Sequence, residues 1–260
     1  MIIKTPTQRA DLLEAGKRMG AILEEVATYA LPGVSVEELD TRAEQLIRDG
    51  GDEPAFLGYA PEGANRPYPA TLCVSVNEEV VHGIPTEEPR TLKEGDIVSL
   101  DIGLIHNGIV VDTAITVAVG KTDTVSEKLM SATKASLYAG IAAAKVGGRV
   151  GDISYAIEQS LKKTDFSVVE ILGGHAVGDA VHEEPFIPNV GYKGTGEELV
   201  EGMVLALEPI ATAGKKAVII APDGYTYRTK DGSRAAHFEH TILLEKDGPV
   251  IVTRRPSEKV

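Results

Sequence analysis

The sequence predicts an α+β protein made of two similar halves, with helices packed outside antiparallel sheet. The order of periodicities is the first observation: long helix, short helix and strands, then the same series again. The second is a repeat. A shift of 114 residues lays ALPGVSVEELDTRAEQLI (30–47) over AKVGGRVGDISYAIEQSL (144–161), with Ala, Gly, Val, Glu and Gln coinciding and Glu38 over Asp152. No low-complexity segment or linker divides the halves, about 1–120 and 121–260, so a single domain over 1–260 is expected, with its site at the seam.

The elements follow in order. Thr7 opens a helical pattern (Leu12, Leu13, Met19, Leu23, Val26) that stops at Leu31-Pro32-Gly33. Ser35 and Glu38 have capping-box spacing and start a shorter helix to about Asp49. From about Pro69 to Gly120, short Val- and Ile-rich runs punctuated by Asn and Gly read as strands. Thr124 and Glu127 repeat the capping spacing and start a second long helix, ending at Val146-Gly147-Gly148. Asp152 caps another short helix, and strands return from about Ser167.

Composition narrows the function. Lys and Arg number 26 against 39 acids, a net charge of −13, and no basic run offers a nucleic-acid stripe. No apolar stretch reaches the roughly 20 residues that span a bilayer, and MIIKTPTQRADLLEAG lacks a signal-peptide core. A lone Cys73 forms no internal disulfide and suits a reducing interior, so a cytoplasmic protein is expected, with neither nucleic-acid nor membrane partner.

Four acids sit where acids are costly: Asp101 in IVSLDIGLI, Asp112 in GIVVDTAITVAV, Glu208 in MVLALEPIA and Glu239 in AHFEHTILL. A buried carboxylate without a partner costs several kcal/mol or takes up a proton. Lys and Arg are scarce in these windows, so a bound cation is the natural neutraliser. Asn107-Gly108 is a hairpin turn signal. If these two form the turn, residue numbers summing to 215 lie opposite each other. Asp112 then faces Gly103, two residues from Asp101, and both carboxylates share one face, with room left beside them by the glycine. His175 in VEILGGHAVGD, His182 in VHEEP and His82 in VVHGIP add imidazoles at Gly- and Pro-bounded strand ends. Four carboxylates and an imidazole form a hard donor set for Mn, Fe, Co or Zn. Its size suggests two ions about 3.5–4 Å apart, an arrangement used to activate water.

These residues bring a known family into view. SVNEEVVHGIP (75–85), the Asp101–Asp112 hairpin, GGHAVGDAVHEEP (173–185), EGMVLALEP (201–209) and FEHT (238–241) are similar, in order and spacing, to the motifs of type I methionine aminopeptidases. The resemblance runs from the first helix to the last strand. It implies the duplicated pita-bread fold and an exopeptidase that removes initiator Met when a small residue follows, through a metal-activated bridging water. It implies that Asp101, Asp112, His175, Glu208 and Glu239 ligate two divalent ions (Co, Mn, Fe, Ni or Zn), with Asp112 and Glu239 bridging. His182 takes the place of the family's contact to the scissile carbonyl and oxyanion, and His82 that of the residue near the substrate amine and leaving group. Glu208 matches the proton shuttle. Tyr59, Tyr68, Cys73 and Tyr225, helped by Phe56, are implied to wall the methionine pocket. The family precedent is a monomer acting on N-terminal Met peptides of nascent proteins.

Departures are specific. The glycine-rich motif reads Gly174-His175-Ala176-Val177-Gly178, Val181 replaces a bulky Phe, Tyr225 stands for a Trp, and His237 replaces a common Gln. LGYAPEGANRPYP (57–69) carries extra residues between Tyr59 and Tyr68. The competing readings are an Xaa-Pro peptidase of the same fold, a non-catalytic binding module, and a Cys73 nucleophile with His82 as base. The first usually has a further N-terminal domain, the second should lack ligands, and TLCVSV suits a packed thiol better than a nucleophile.

Overall fold

Capping chemistry sets where the helices begin. In the computed structural model, which describes residues 1–61, 63–87 and 89–258, the first half holds α1 (Pro6–Thr28), α2 (Val36–Asp49), β1 (Glu53–Pro54), β2 (Leu72–Val76), β3 (Glu79–Val81), β4 (Ile97–His106) and β5 (Ile109–Ala118). The second holds α3 (Thr124–Ala143), α4 (Val150–Leu161), β6 (Ser167–Val168), β7 (Gly173–Ala176), β8 (Glu183–Pro188), β9 (Val204–Leu207) and β10 (Ile210–Thr212). It closes with β11 (Val218–Ile220), β12 (Tyr227–Thr229), β13 (Ala235–His237), β14 (His240–Glu245) and β15 (Gly248–Ile251). Residue 62, inside the expected loop insertion, lies outside the described residues.

The Ser35–Glu38 box forms as expected, but the other starts differ. α1 begins before Thr7: Thr5 is the cap, its hydroxyl accepting from Gln8 N at 3.2 Å while Gln8 Oε1 accepts from Thr5 N at 3.2 Å. Pro6 fills the first helical position, where its missing N–H costs nothing. The helix closes at Thr28, short of Leu31. For α3, Asp123 supplants Thr124 as the cap by accepting from Ser126 N at 2.9 Å, and the helix ends at Ala143, ahead of the Val146-Gly147-Gly148 stop. Asp152 is the third residue of α4 and reaches back to Arg149 N at 2.8 Å, as Glu38 reaches Ser35 N at 2.7 Å.

That correspondence continues in the backbone. Gly33 N donates to Leu92 O, Leu92 N to Val34 O and Val36 N to Arg90 O. Gly147 N donates to Leu199 O, Leu199 N to Gly148 O and Val150 N to Glu197 O. The offset between the helix-side members is the same 114 residues in each case.

In the first half β4 is central, pairing with β5 along one side and with β2 and β1 end to end along the other. Asn107 and Gly108 both have positive φ (49° and 79°), the requirement of a type I′ turn, and His106 pairs with Ile109. The hairpin tip is tied to the first helix by Asn107 Nδ2 donating to Asp11 Oδ1 at 3.0 Å. The second half carries a five-stranded antiparallel sheet in the order β15-β14-β9-β7-β8. Small sheets β13-β10-β6 and β11-β12-β3 close the sides.

Alternation along the strands separates two cores. Val204 and Ala206 of β9 and Leu243 of β14 join the core built on Leu12, Met19, Leu23 and the β4 residues Leu100 and Ile102. Leu205, Leu207, Ile242 and Leu244 face the core under α3 and α4, with Leu129, Leu137, Ile153 and Ile157. α1 lies close enough to the C-terminal segment that a Cβ on Gly16 or Gly20 would strike the backbone of Val252 or Arg254.

Between the halves, threonines replace a main-chain ladder. Thr241 Oγ1 donates to Asp112 O at 2.7 Å and accepts from Asp112 N at 3.0 Å. Thr113 Oγ1 donates to Glu239 O at 2.8 Å, and Thr116 Oγ1 both donates to His237 O and accepts from His237 N at 2.8 Å. Thr241→Val keeps the shape of the side chain but strands both main-chain groups of Asp112. It should lower stability by about 1–3 kcal/mol, measured as a lower urea midpoint at constant m. An unchanged midpoint would show that the seam does not depend on this pair.

Candidate metal centre

The four anomalous acids and His175 reach one place from β4, β5, β7, the end of β9 and the break between β13 and β14. Asp101 on β4 lies opposite Cys73 on one side and Ala114 on the other, while Asp112 on β5 lies opposite Gly103. The two carboxylates therefore share a face, as the register arithmetic requires. Gly103 does not leave room beside them, however. A Cβ there would lie 2.7 Å from the Phe56 ring, so the glycine admits Phe56. His175 on β7 pairs with Ala206 on β9, whose next turn delivers Glu208 just past the strand end. Glu239 sits in the break between β13 and β14 and is held by its own N–H on Ala114 O at 2.9 Å.

Ligand atoms of Asp112, His175 and Glu239 lie within 4.8 Å of one another. His175 Nε2 is 4.0 Å from Asp112 Oδ2 and 3.6 Å from Glu208 Oε1. Its Nδ1 is 3.0 Å from Ala176 O, and a carbonyl only accepts, so Nδ1 carries the hydrogen and the Nε2 lone pair faces the acids. Asp101 Oδ1, Asp112 Oδ1 and Glu239 Oε1 are buried without a hydrogen-bond partner in the protein. An oxygen-rich set with orphaned carboxylate oxygens and an imidazole lone pair fits a divalent cation.

The electrostatics agree. Burial raises Asp101 to about 7. It drives Asp112 well above the carboxylate range, with Glu239 and Asp101 adding repulsion. Glu208 and Glu239 rise well above it for the same reasons, burial first and neighbouring carboxylates second. The imidazoles move the other way: burial, then nearby imidazoles, takes His175 and His237 down to about 3 and His82 to about 4. Burial also lowers His182.

Beside this floor is a cavity walled by Phe56, Tyr59, Tyr68, Cys73, Val181 and Tyr225 and bordered by His82 and His182. The expected pocket residues are all present in it. Tyr68 is buried, its hydroxyl donating to Gly83 O at 2.8 Å, and Tyr225 donates to Arg66 O. Tyr59 has a second contact that its place in the wall did not foretell: its hydroxyl is 2.8 Å from His182 Nδ1. Burial pushes the Cys73 thiol well above its usual range, which removes the thiolate a nucleophile needs. His82 follows β3 with φ of 59°, a left-handed conformation that ends the strand at the cavity edge. His182 stacks edge-on against His175 at 4.5 Å between centroids. An outer cleft bearing Val81, Ile171, Leu172 and Phe186 shares Tyr59, Pro61, His82, His175, His182 and Glu208 with the inner cavity.

One residue of the centre was visible in the sequence only as a departure. His237 is 1% exposed, with both ring nitrogens lacking a hydrogen-bond partner. Its Nε2 is 3.5 Å from Glu208 Oε2 and 3.8 Å from Glu239 Oε2. The signal was its spacing, two residues before Glu239 in an apolar run.

Comparison with known proteins adds the following. Residues 10–246 match the family model described as metallopeptidase family M24. The chain is 44% identical over 258 residues to the methionine aminopeptidase of Aquifex aeolicus, covering 97% of this chain and 99% of that one. The crystal structure of methionine aminopeptidase from Thermotoga maritima superposes with a TM-score of 0.92 at 41% identity, over 98% of this chain and 100% of that one. An Xaa-Pro dipeptidase from Bacillus anthracis matches at 20% identity and a TM-score of 0.74, over 100% of this chain but 64% of its own, which speaks to the fold alone.

The shifts predict how metal-free protein responds to pH. Above about 6.5 the lowered histidines are neutral in the fold and lose most of their charge in the unfolded chain, and unfolded carboxylates are ionised. The folded carboxylates still hold protons there, because burial raises Asp101 to about 7 and lifts Asp112, Glu208 and Glu239 well above the ordinary carboxylate range. The folded state therefore binds more protons, and stability must fall as pH rises from about 6.5 to 8. Below that window the lowered histidines act in the opposite sense. Thermal unfolding in chelator should show the fall, and added Mn should reverse it. Stability rising with pH in chelator, or no response to the ion, would contradict the centre.

Proposed function

The chain belongs to metallopeptidase family M24, and on that footing we propose that it is a methionine aminopeptidase, removing initiator Met from nascent proteins in the cytoplasm when the next residue is small. The observation that carries the proposal is the convergence of buried Asp101, Asp112, His175 and Glu239 with partly buried Glu208 beside a pocket with apolar walls. These five residues would hold two divalent ions, of Co, Mn, Fe, Ni or Zn. Bound there, the ions supply Lewis acidity and a water made acidic enough to act near neutral pH. The whole chain acts as one catalytic unit, a monomer whose halves meet near residue 120.

The protein's own groups do the rest. Phe56, Tyr68, Cys73, Val181 and Tyr225 receive the side chain of the substrate's first residue. His82 stands at the border of pocket and cleft, where the substrate amine and leaving group lie. His182, on the same border, donates a hydrogen bond to the scissile carbonyl, and that bond strengthens as charge develops on its oxygen. Glu208, at the edge of the ligand set and bordering both the inner cavity and the outer cleft, passes a proton to the departing amine. His237 Nε2 lies 3.5 Å from Glu208 Oε2 and 3.8 Å from Glu239 Oε2, beside both acids without hydrogen-bonding either.

Chelator-stripped protein, supplied separately with Mn, Co, Fe, Ni or Zn, should release Met from Met-Ala-Ser and leave Gly-Pro-Ala intact. Cleavage of Gly-Pro-Ala would move the chain to the Xaa-Pro group, and a folded sample inert with every ion would leave a binding module. Asp112→Asn and Glu239→Gln should each reduce turnover by orders of magnitude. His182→Ala should lower kcat by about 10²–10³ while bound metal stays the same. Loss of metal in that variant would make His182 a ligand instead.

A further inference from the structure

Tyr59 combines two features that a pocket wall does not require. Its phenol oxygen is 2.8 Å from His182 Nδ1, and the two rings lie 5.3 Å apart at 54°. A neutral imidazole has one nitrogen that donates and one that accepts, whereas a phenol can do either. Were Nδ1 to carry the hydrogen, Nε2 would present a lone pair and have nothing to give a carbonyl oxygen. With the hydrogen on Nε2, Nδ1 must accept, and Tyr59 O–H is the donor that fills it.

The chain around Tyr59 is built to keep it there. Tyr59 N donates to Phe56 O at 2.9 Å, Tyr68 N to Tyr59 O at 2.8 Å and Gly58 N to Tyr68 O at 2.9 Å. These bonds close the chain on itself around Tyr59 and Tyr68. The far end is tied to distant sequence. Arg66 pairs with Glu87 through both terminal nitrogens and donates to Asp223 O at 3.1 Å, while Tyr225 O–H donates to Arg66 O.

We infer that Tyr59 is a positioning residue for His182: its hydroxyl donates to Nδ1, holding the imidazole in the tautomer whose Nε2–H is free to donate, and the tied 57–69 loop fixes that hydroxyl in place. The inference rests on the proposed role of His182 at the scissile carbonyl. Tyr59→Phe removes the hydroxyl and keeps the ring. In the metal-loaded enzyme acting on Met-Ala-Ser, kcat should fall about tenfold, the worth of one hydrogen bond. KM and the number of bound ions should not change. Nitrogen-15 spectra of histidine-labelled, Zn-loaded protein, with His182→Ala supplying the assignment, should show hydrogen on Nε2 of His182 in the wild type. In Tyr59→Phe that preference should be lost. A rise in KM at constant kcat would reduce Tyr59 to a pocket wall, and hydrogen on Nδ1 in the wild type would overturn the inference outright. Wild-type protein that releases no Met would overturn the functional proposal instead, and the spectra would still decide the Tyr59–His182 bond.

Discussion

Four carboxylates are confined in a space from which water is largely excluded, and much of the molecule is arranged around that confinement. Left to themselves, the groups hold protons far above their ordinary range, because burial and mutual repulsion both penalise the anions. No Lys or Arg is paired with Asp101, Asp112, Glu208 or Glu239 in the ion pairs of the described residues. Histidines surround them instead, and burial keeps those neutral. Neutral imidazoles can offer lone pairs or single hydrogens but cannot discharge the acids. A cation is what the electrostatics ask for, and the family to which the chain belongs is one of metallopeptidases.

Such a centre needs a rigid surround, and duplication supplies it economically. Each half contributes strands of fixed register, and the acids stand where the two sets of strands approach. The approach is made by Thr113, Thr116 and Thr241, whose hydroxyls bond main-chain groups of Asp112, His237 and Glu239 across the seam. The two cores, separated by alternation along β9 and β14, hold the seam from either side.

Around the centre, specificity and chemistry share residues. The aromatic wall of the pocket includes Tyr59, which is also the partner of His182, and Tyr225, which is also the anchor of the 57–69 loop. A change that enlarged or emptied the pocket at either position would therefore disturb more than side-chain selection. His82 and His182 are common to the inner cavity and the outer cleft.

Much of this was legible in one dimension because it is written in periodic or local terms. The Asn107-Gly108 turn specifies its own pairing, and alternation does the rest, so the shared face of Asp101 and Asp112 follows from counting. The 114-residue repeat is legible because both copies need the same N-terminal acid to satisfy a backbone N–H. The unusual cost of acids in apolar runs exposes Glu208 and Glu239 for the same reason: burial can be read from neighbours in sequence. The helix starts at Thr5 and Asp123 were misplaced by a few residues, since several capping groups compete there and the difference is a single hydrogen bond. Other features depended on contacts between distant segments, to which no local rule applies. Gly103 serves Phe56, His237 points at Glu208 and Glu239, and Tyr59 finds His182 across 123 residues of chain. Those pairings exist only once the two halves close on each other, because the partners belong to different elements and meet by packing.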